Sequence, residues 1–423
     1  MRILYLLSQK PGCTGSGFYT QSMIREAKSL GHETWLVAAV EKGEESSFQG
    51  PWKKNVSFVR FGTRDLTFPI PGMSDGMPYR STRFMDLGEG QLHALEKAFR
   101  VAISEAVLTF RPDVIHGNHL WLMASLVKDL FPTIPLVITS HGTDLRQFEN
   151  CPHLRQKVIG CGRADAVIAL TQTQKKEISF LYRIPEERIH VIGTGYNAQC
   201  FYPAPKPDLP PVRLLYAGKI SFAKGVFWLL SAIKILNDIS LPFHLSLAGS
   251  GSGDEYDACV RLAGSMKKNV SWLGMLNQTE LAARMREAHM FILPSFFEGQ
   301  PLVLLEALAS GCRIITTKLP GTEALFVGLH GHAIRMIELP PLQTIDRPHE
   351  RDVPALVHNL ADVINDEVHA CYEGLDPPDD TLAEAMQCHT WGALFRRVQF
   401  LYEQVRTEPA VHGDLCVFSM EKP

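Results

Sequence analysis

The sequence predicts an α/β protein built from two Rossmann-like domains that face each other across a cleft. Three observations lead to this. Short apolar runs alternate with longer segments of helical period, the signature of parallel βαβ units. The alternation stops at residues 202–212, Tyr-Pro-Ala-Pro-Lys-Pro-Asp-Leu-Pro-Pro-Val, where five prolines stand together, and then restarts. The length, 423 residues, exceeds one ordinary domain and suits two.

The first half opens on a strand, Arg2–Ser8, followed by the turn Gly12-Cys-Thr-Gly-Ser-Gly17 and a helix through Leu30 that Gly31 ends. Strands follow at Glu33–Val40 and Val56–Phe61. Residues 62–86, rich in Gly, Pro, Met and Asp, read as a long loop, and 89–110 as a helix. Further strands are Val114–Gly117, Pro135–Ser140 and Ala166–Leu170. The proline-rich run cannot continue a helix or a central strand, so it reads as the interdomain link. Beyond it the expected strands are Arg213–Gly218, His244–Ala248, Val270–Leu273, Met290–Leu293 and Arg313–Thr317. Residues 336–350 and 372–381 read as loops and 382–406 as a helix, with Trp391, Leu394, Phe395 and Val398 at core spacing. The expected domains are 1–203 and 212–385, with 386–423 a terminal helix and tail for which a return to the first domain is open.

Hydrophobic residues make up 45% and charged residues 21%, enough to give each half a core. The formal charge of -3 gives no support to a nucleic-acid partner. The nine cysteines, Cys13, Cys151, Cys161, Cys200, Cys259, Cys312, Cys371, Cys388 and Cys416, include no C-x-x-C pair and read as reduced thiols of a cytoplasmic protein. The apolar run at the N-terminus is too short for a signal-peptide core, and no stretch reaches membrane-spanning length. Peripheral contact with the inner face of a membrane is left open. Arg80, Arg83, Lys97 and Arg100 suit anionic lipid, although a solvated face accounts for them more simply.

Ligands of open α/β sheets sit beyond the carboxyl ends of the strands. The most informative such place is Phe291-Ile-Leu-Pro-Ser-Phe-Phe-Glu298-Gly-Gln-Pro301-Leu-Val-Leu-Leu-Glu306. A strand ends, a loop carries Glu298 and Gly299, and Pro301 stands where a helix begins. The N–H groups of Leu302 and Val303 then form an anion site suited to a diphosphate. Glu298 and Glu306 flank it, and carboxylates accept from vicinal hydroxyls. A nucleotide sugar fits that spacing.

Here the chain resembles a known family. Glu298 and Glu306 match the E-x7-E motif of the retaining GT-B glycosyltransferases of family 4. The segment Tyr216-Ala-Gly-Lys219-Ile-Ser-Phe-Ala-Lys224-Gly225 resembles that family's pair of diphosphate cations, with Lys219 where Arg is usual, which keeps the charge and loses the bidentate fork. Ser140-His141-Gly142-Thr143-Asp144 resembles the family's H-G-T-D segment. The resemblance implies that Glu298 contacts the donor sugar, Glu306 grips the ribose, and His141 lies by the reacting sugar. It makes His141, Lys219, Lys224 and Glu298 the catalytic candidates. Gly218, Gly249, Gly274, Met275, Leu276, Gly299, Gln300, Leu302, Val303 and Glu306 are the donor-binding candidates. Gly15, Ser16 and Gly17 form an acceptor or phosphate loop. Asp144 either joins that loop or caps the next helix. His116 reads as a packing residue, although relatives often carry His there.

The expected activity is transfer of a sugar from a nucleoside-diphosphate sugar, UDP being the commonest base in the family, to a sugar or lipid-linked acceptor of cell-surface polysaccharide or glycolipid synthesis. The nucleotide sugar is a substrate, and neither a cofactor nor a metal is expected. The acidic run Asp376-Pro-Pro-Asp-Asp380 reads as a solvated loop. Other readings are a nucleotide-sugar-binding protein without turnover, a sugar-nucleotide epimerase and a phosphorylase.

Overall fold

The computed structural model describes residues 1–407 apart from 48, 49, 53, 75, 239, 240, 328, 330–332, 345, 346 and 375–379. The chain divides into two compact units. The first is Met1–Gly193 together with the chain from Leu394 onward, and the second is Thr194–Ala393.

The first unit holds a seven-stranded sheet of β1 (Arg2–Leu7), β2 (Glu33–Glu41), β3 (Val56–Phe61), β4 (Val114–Asn118), β5 (Leu136–Thr139), β6 (Ala166–Ala169) and β7 (Ile189–Val191). Its order is 3-2-1-4-5-6-7, and every pairing is parallel. Strands β4, β5 and β6 are buried along their whole length, as helices on both faces of a parallel sheet require. Helices α1 (Gly15–Ser29), α2 (Glu89–Phe110), α3 (Leu122–Leu130), α4 (Thr143–Asn150) and α5 (Gln172–Tyr182) make the connections.

The second unit repeats the plan with six strands, β8 (Val212–Ala217), β9 (Phe243–Ala248), β10 (Val270–Gly274), β11 (Met290–Leu293), β12 (Arg313–Thr317) and β13 (Ile334–Ile337). Their order, 10-9-8-11-12-13, is the doubly wound arrangement. The order reverses between β8 and β11, which places the loops after those two strands side by side. Helices α6 (Val226–Ile235), α7 (Asp254–Gly264), α8 (Gln278–Glu287), α9 (Leu302–Ala309), α10 (Pro320–Leu325) and α11 (Val353–Tyr372) cover the faces.

Two α/β units with parallel sheets therefore stand as the sequence predicts, and several details differ. The stretch 62–86 carries a two-residue strand pair, Pro71–Gly72 with Thr82–Arg83. The stretch 336–350 contains an antiparallel pair, Leu342–Thr344 with Arg347–Pro348. The expected helix 382–406 is two, α12 (Asp380–Gln387) and α13 (Trp391–Thr407), because Thr390 accepts the N–H of Ala393 and starts a new helix. Residues Gly15, Ser16 and Gly17 are the first turn of α1 and not loop, since Thr14 is the N-cap and accepts from Gly17 N. The proline-rich run belongs to the second unit, where Lys206 Nζ donates to the carbonyls of Met285 and Ser310. Most of the acidic run 376–380, and Cys416, lie outside the described residues.

Candidate functional site

In the second unit the candidate residues meet at the switch point of the sheet. The loops after β8 and β11 are tied by Phe296 N donating to Ala223 O at 2.9 Å. That link sets Lys224 beside Glu298, and Lys224 Nζ donates to Glu298 Oε1 at 2.7 Å. The Glu298 side chain is largely buried (12% exposed) and that of Lys224 half-buried (30%). Just beyond lies Pro301, at the N-cap of α9 and not inside its first turn. It supplies no side-chain cap, so the N–H groups of Leu302 and Val303 have no partner within the helix.

Glu306 lies on α9 and is nearly closed off (9% exposed). Its carboxyl makes no hydrogen bond among the described residues. Burial alone pushes its pKa up to about 7. A largely buried carboxyl without protein donors costs stability, and vicinal hydroxyls of a ligand would supply the missing donors.

Three glycines stand at the carboxyl ends of adjacent strands. Gly218 N donates to Ala248 O, and Gly249 N to Gly274 O at 2.7 Å. A Cβ on Gly249, whose φ is +137°, would lie 1.8 Å from Gly218 O, so no side chain fits where these turns cross. Beyond them, Met275 is exposed and Leu276 half-buried. Lys219 is exposed and lines an open pocket of about 480 Å³ with Ser221, Phe222, Ser252, Glu255 and Arg347. Its own carbonyl accepts from Tyr216 OH at 2.7 Å, which fixes the loop and leaves the ammonium outward. Gln300 is partly committed elsewhere, because its Oε1 accepts from Thr194 at 3.0 Å.

The first unit gathers a different set. His141, at the end of β5, faces Asn118 with Nε2 3.0 Å from Oδ1. Its ring stands 4.8 Å from that of His119 and 5.1 Å from that of Tyr19, centroid to centroid. Burial, then the neighbouring His119, lowers the His141 pKa to about 3, so the ring is neutral. Buried His116 is held by Tyr402 OH and, at 2.7 Å, by Thr139 Oγ1, which agrees with a packing role.

Two sequence expectations change here. Asp144 neither lines the loop nor acts as the N-cap. It is fully buried at the second residue of α4, and its carboxylate accepts from Leu120 N at 2.8 Å and Ser140 Oγ at 3.0 Å. It thus braces the ends of β4 and β5. In the helix-opening set, Gly17 N is taken by Thr14 and the Ser16 hydroxyl donates inward to Gln9 Oε1 at 2.9 Å, which leaves the exposed Gly15 as the open member.

Sequence reasoning missed Asn118, His119 and Tyr19. His119 holds φ +71°, rare outside glycine, and both its ring nitrogens are buried without a partner. Asn118 and His119 follow directly on Asp113-Val-Ile-His-Gly, so polar residues at a strand's carboxyl end were the available signal.

Comparison with known proteins bears on the family and the fold of the chain. Residues 14–199 match the family model described as Glycosyltransferase Family 4, and residues 211–338 match the one described as Glycosyl transferases group 1. A glycogen synthase of Mycobacterium tuberculosis is 29% identical over 234 residues, 53% of this chain and 56% of that protein. The chain thus spans a little over half the length of the first curated relatives it matches. Among solved structures, sucrose-phosphate synthase of Thermosynechococcus elongatus superposes with a TM-score of 0.66 at 16% identity, over 96% of this chain and 100% of that one. Anabaena HepE, solved with UDP and glucose, gives 0.65 at 15% identity over 96% and 100%. At such identities the structures speak for the fold, which is GT-B, while the two family models cover both halves of the chain. The protein belongs to the group 1 glycosyltransferases of family 4.

Proposed function

We propose that the chain transfers a sugar from a nucleoside-diphosphate sugar to an acceptor hydroxyl with retention of anomeric configuration. The observation that carries this is the placement of Lys224 and Glu298 against the uncapped amino end of α9. A diphosphate resting on the N–H groups of Leu302 and Val303 would be met by the cations of Lys224 and Lys219. These groups are aimed at charge that grows on the departing phosphate. Glu298 orients the sugar, and the largely buried Glu306 carboxyl receives the ribose hydroxyls. Gly218, Gly249 and the Gly274–Leu276 turn offer backbone groups to the nucleotide. In the first unit His141 hydrogen-bonds substrate.

The bond from the anomeric carbon to the β-phosphate oxygen breaks, and the acceptor oxygen bonds to that carbon on the same face. The acceptor proton passes to the leaving phosphate. UDP is the favoured base and an acceptor of surface polysaccharide or glycolipid the favoured class, both by family resemblance. No described helix is long and apolar enough to cross a membrane. We place the enzyme in the cytoplasm because its scattered cysteines, with no C-x-x-C pair, suit reduced thiols.

A panel of nucleotide sugars in thermal shift, followed by nucleoside diphosphate release with candidate acceptors, tests this reading. Binding without release under any acceptor would reduce the protein to a nucleotide-sugar binder. A product of inverted anomeric configuration would exclude retention.

A further inference from the structure

The first unit contains a hydrogen-bond chain that decides which nitrogen of His141 carries its proton. Asn118 Nδ2 donates to Leu6 O at 3.0 Å. A carbonyl oxygen only accepts, so the amide nitrogen must face Leu6 and Oδ1 must face the other way. That Oδ1 lies 3.0 Å from His141 Nε2. It too only accepts, so His141 must donate from Nε2. A neutral imidazole has a single N–H, and Nδ1 is therefore a bare lone pair. Nδ1 has no hydrogen-bond partner among the described residues. The chain runs from β1 through β4 to the end of β5, three neighbouring strands, and Asn118 is 2% exposed. Little freedom remains for its amide to turn over.

We infer that Asn118 is a positioning residue that holds His141 as the Nε2–H tautomer and so presents Nδ1 as an acceptor for a substrate hydroxyl. The tautomer follows from the protein's own hydrogen bonds. Its use by substrate rests on the reading of His141 as a site residue. The opposite tautomer would offer a donor in the same place and would select a different partner, such as a ring or phosphate oxygen. The groups facing His141 are His119 at the end of β4, Tyr19 of α1, and Asp144 of α4, whose carboxylate is occupied by Leu120 and Ser140. None of these takes over the Asn118 contact.

The test is nitrogen NMR of the full chain with labelled histidine, with the His141 signals assigned by their loss in His141→Gln. The wild-type ring at neutral pH should show a protonated Nε2 and an unprotonated Nδ1. Asn118→Leu should give a mixture of tautomers and lower turnover about 10- to 100-fold, the range seen when outer partners of metal-bound histidines are removed. Asn118→Asp keeps an acceptor oxygen and adds a charge. It should keep the Nε2–H pattern and move the His141 titration upward, with the acid limb of the turnover profile following it. A protonated Nδ1 in the wild type, or an unchanged pattern in Asn118→Leu, overturns the inference. If the tautomer stands while His141→Gln turns over as fast as wild type, the placement of His141 in the site is what fails.

Discussion

Lys224 Nζ and Glu298 Oε1 meet at 2.7 Å, joining the loops that follow β8 and β11. The two residues are 74 positions apart in sequence and become neighbours because their strands flank the point where the sheet order reverses. The contact is partly solvated, and such pairs contribute about 0–1 kcal/mol to stability. Its value lies in what each group presents to a ligand.

Lys224→Ala should therefore leave thermal unfolding nearly unchanged while lowering kcat by roughly 10²–10³-fold, the usual effect of losing one preorganised donor to developing negative charge. Steady-state nucleoside diphosphate release beside a melting curve separates the two. A variant that melts early would mean that the pair is mainly structural.

Glu306 makes donor affinity depend on pH. Its pKa is raised to about 7 by desolvation, so the free protein holds the carboxyl protonated in mild acid. Because the folded pKa lies above the unfolded one, the group favours the folded state at low pH. That contribution is lost as pH rises from the unfolded value of 4.5 toward about 7, and amounts to about 3 kcal/mol at most. Hydroxyl donors from a ribose favour the charged form. Donor binding should thus tighten from pH 5.5 to 8 and release a proton within that range, as titration calorimetry in buffers of different ionisation enthalpy would show. Glu306→Gln should bind weakly, without the pH slope, and should melt higher than wild type at pH 8.

Gly249→Ala introduces a methyl group 1.8 Å from a backbone oxygen of Gly218, which cannot rotate away. Overpacking of this kind costs about 1–3 kcal/mol, which would lower the second unit's melting temperature by several degrees. The donor-binding turns must also spread apart, so affinity should fall at 25 °C, where the protein is still folded. Differential scanning calorimetry and donor titration of the same preparation would check both.

Away from the site, Glu367 on α11 accepts from Arg313 Nε and Arg335 Nε, each at 2.6 Å, and is 2% exposed. Its loss removes a carboxylate from beside a guanidinium that is itself buried. Glu367→Ala should destabilise by about 3 kcal/mol or more in urea unfolding, with donor affinity of the folded fraction unaltered. A change in affinity would show that this cluster also shapes the site.

Much of this was legible in the linear chain. The strands Val56–Phe61, Met290–Leu293 and Arg313–Thr317 and the helix Glu89–Phe110 stand at their expected bounds, because apolar period and glycine or proline stops are local signals. The second-unit set was legible because Glu298, Leu302, Val303 and Glu306 share one loop and helix, and Lys219 and Lys224 share another. What the residues could not disclose alone were the pairings that depend on strand order. Lys224 meets Glu298, Gly249 crosses Gly218, and Asn118 links Leu6 to His141 only once strands distant in sequence lie side by side. Asp144 shows the limit most clearly. Beside His141 and Gly142 it carries the marks of a site residue or a cap, yet folding turns its carboxylate inward to Leu120 and Ser140. Sequence spacing determines which groups can reach a strand's carboxyl end. Burial and the competition for hydrogen-bond partners decide which of them remain free to act.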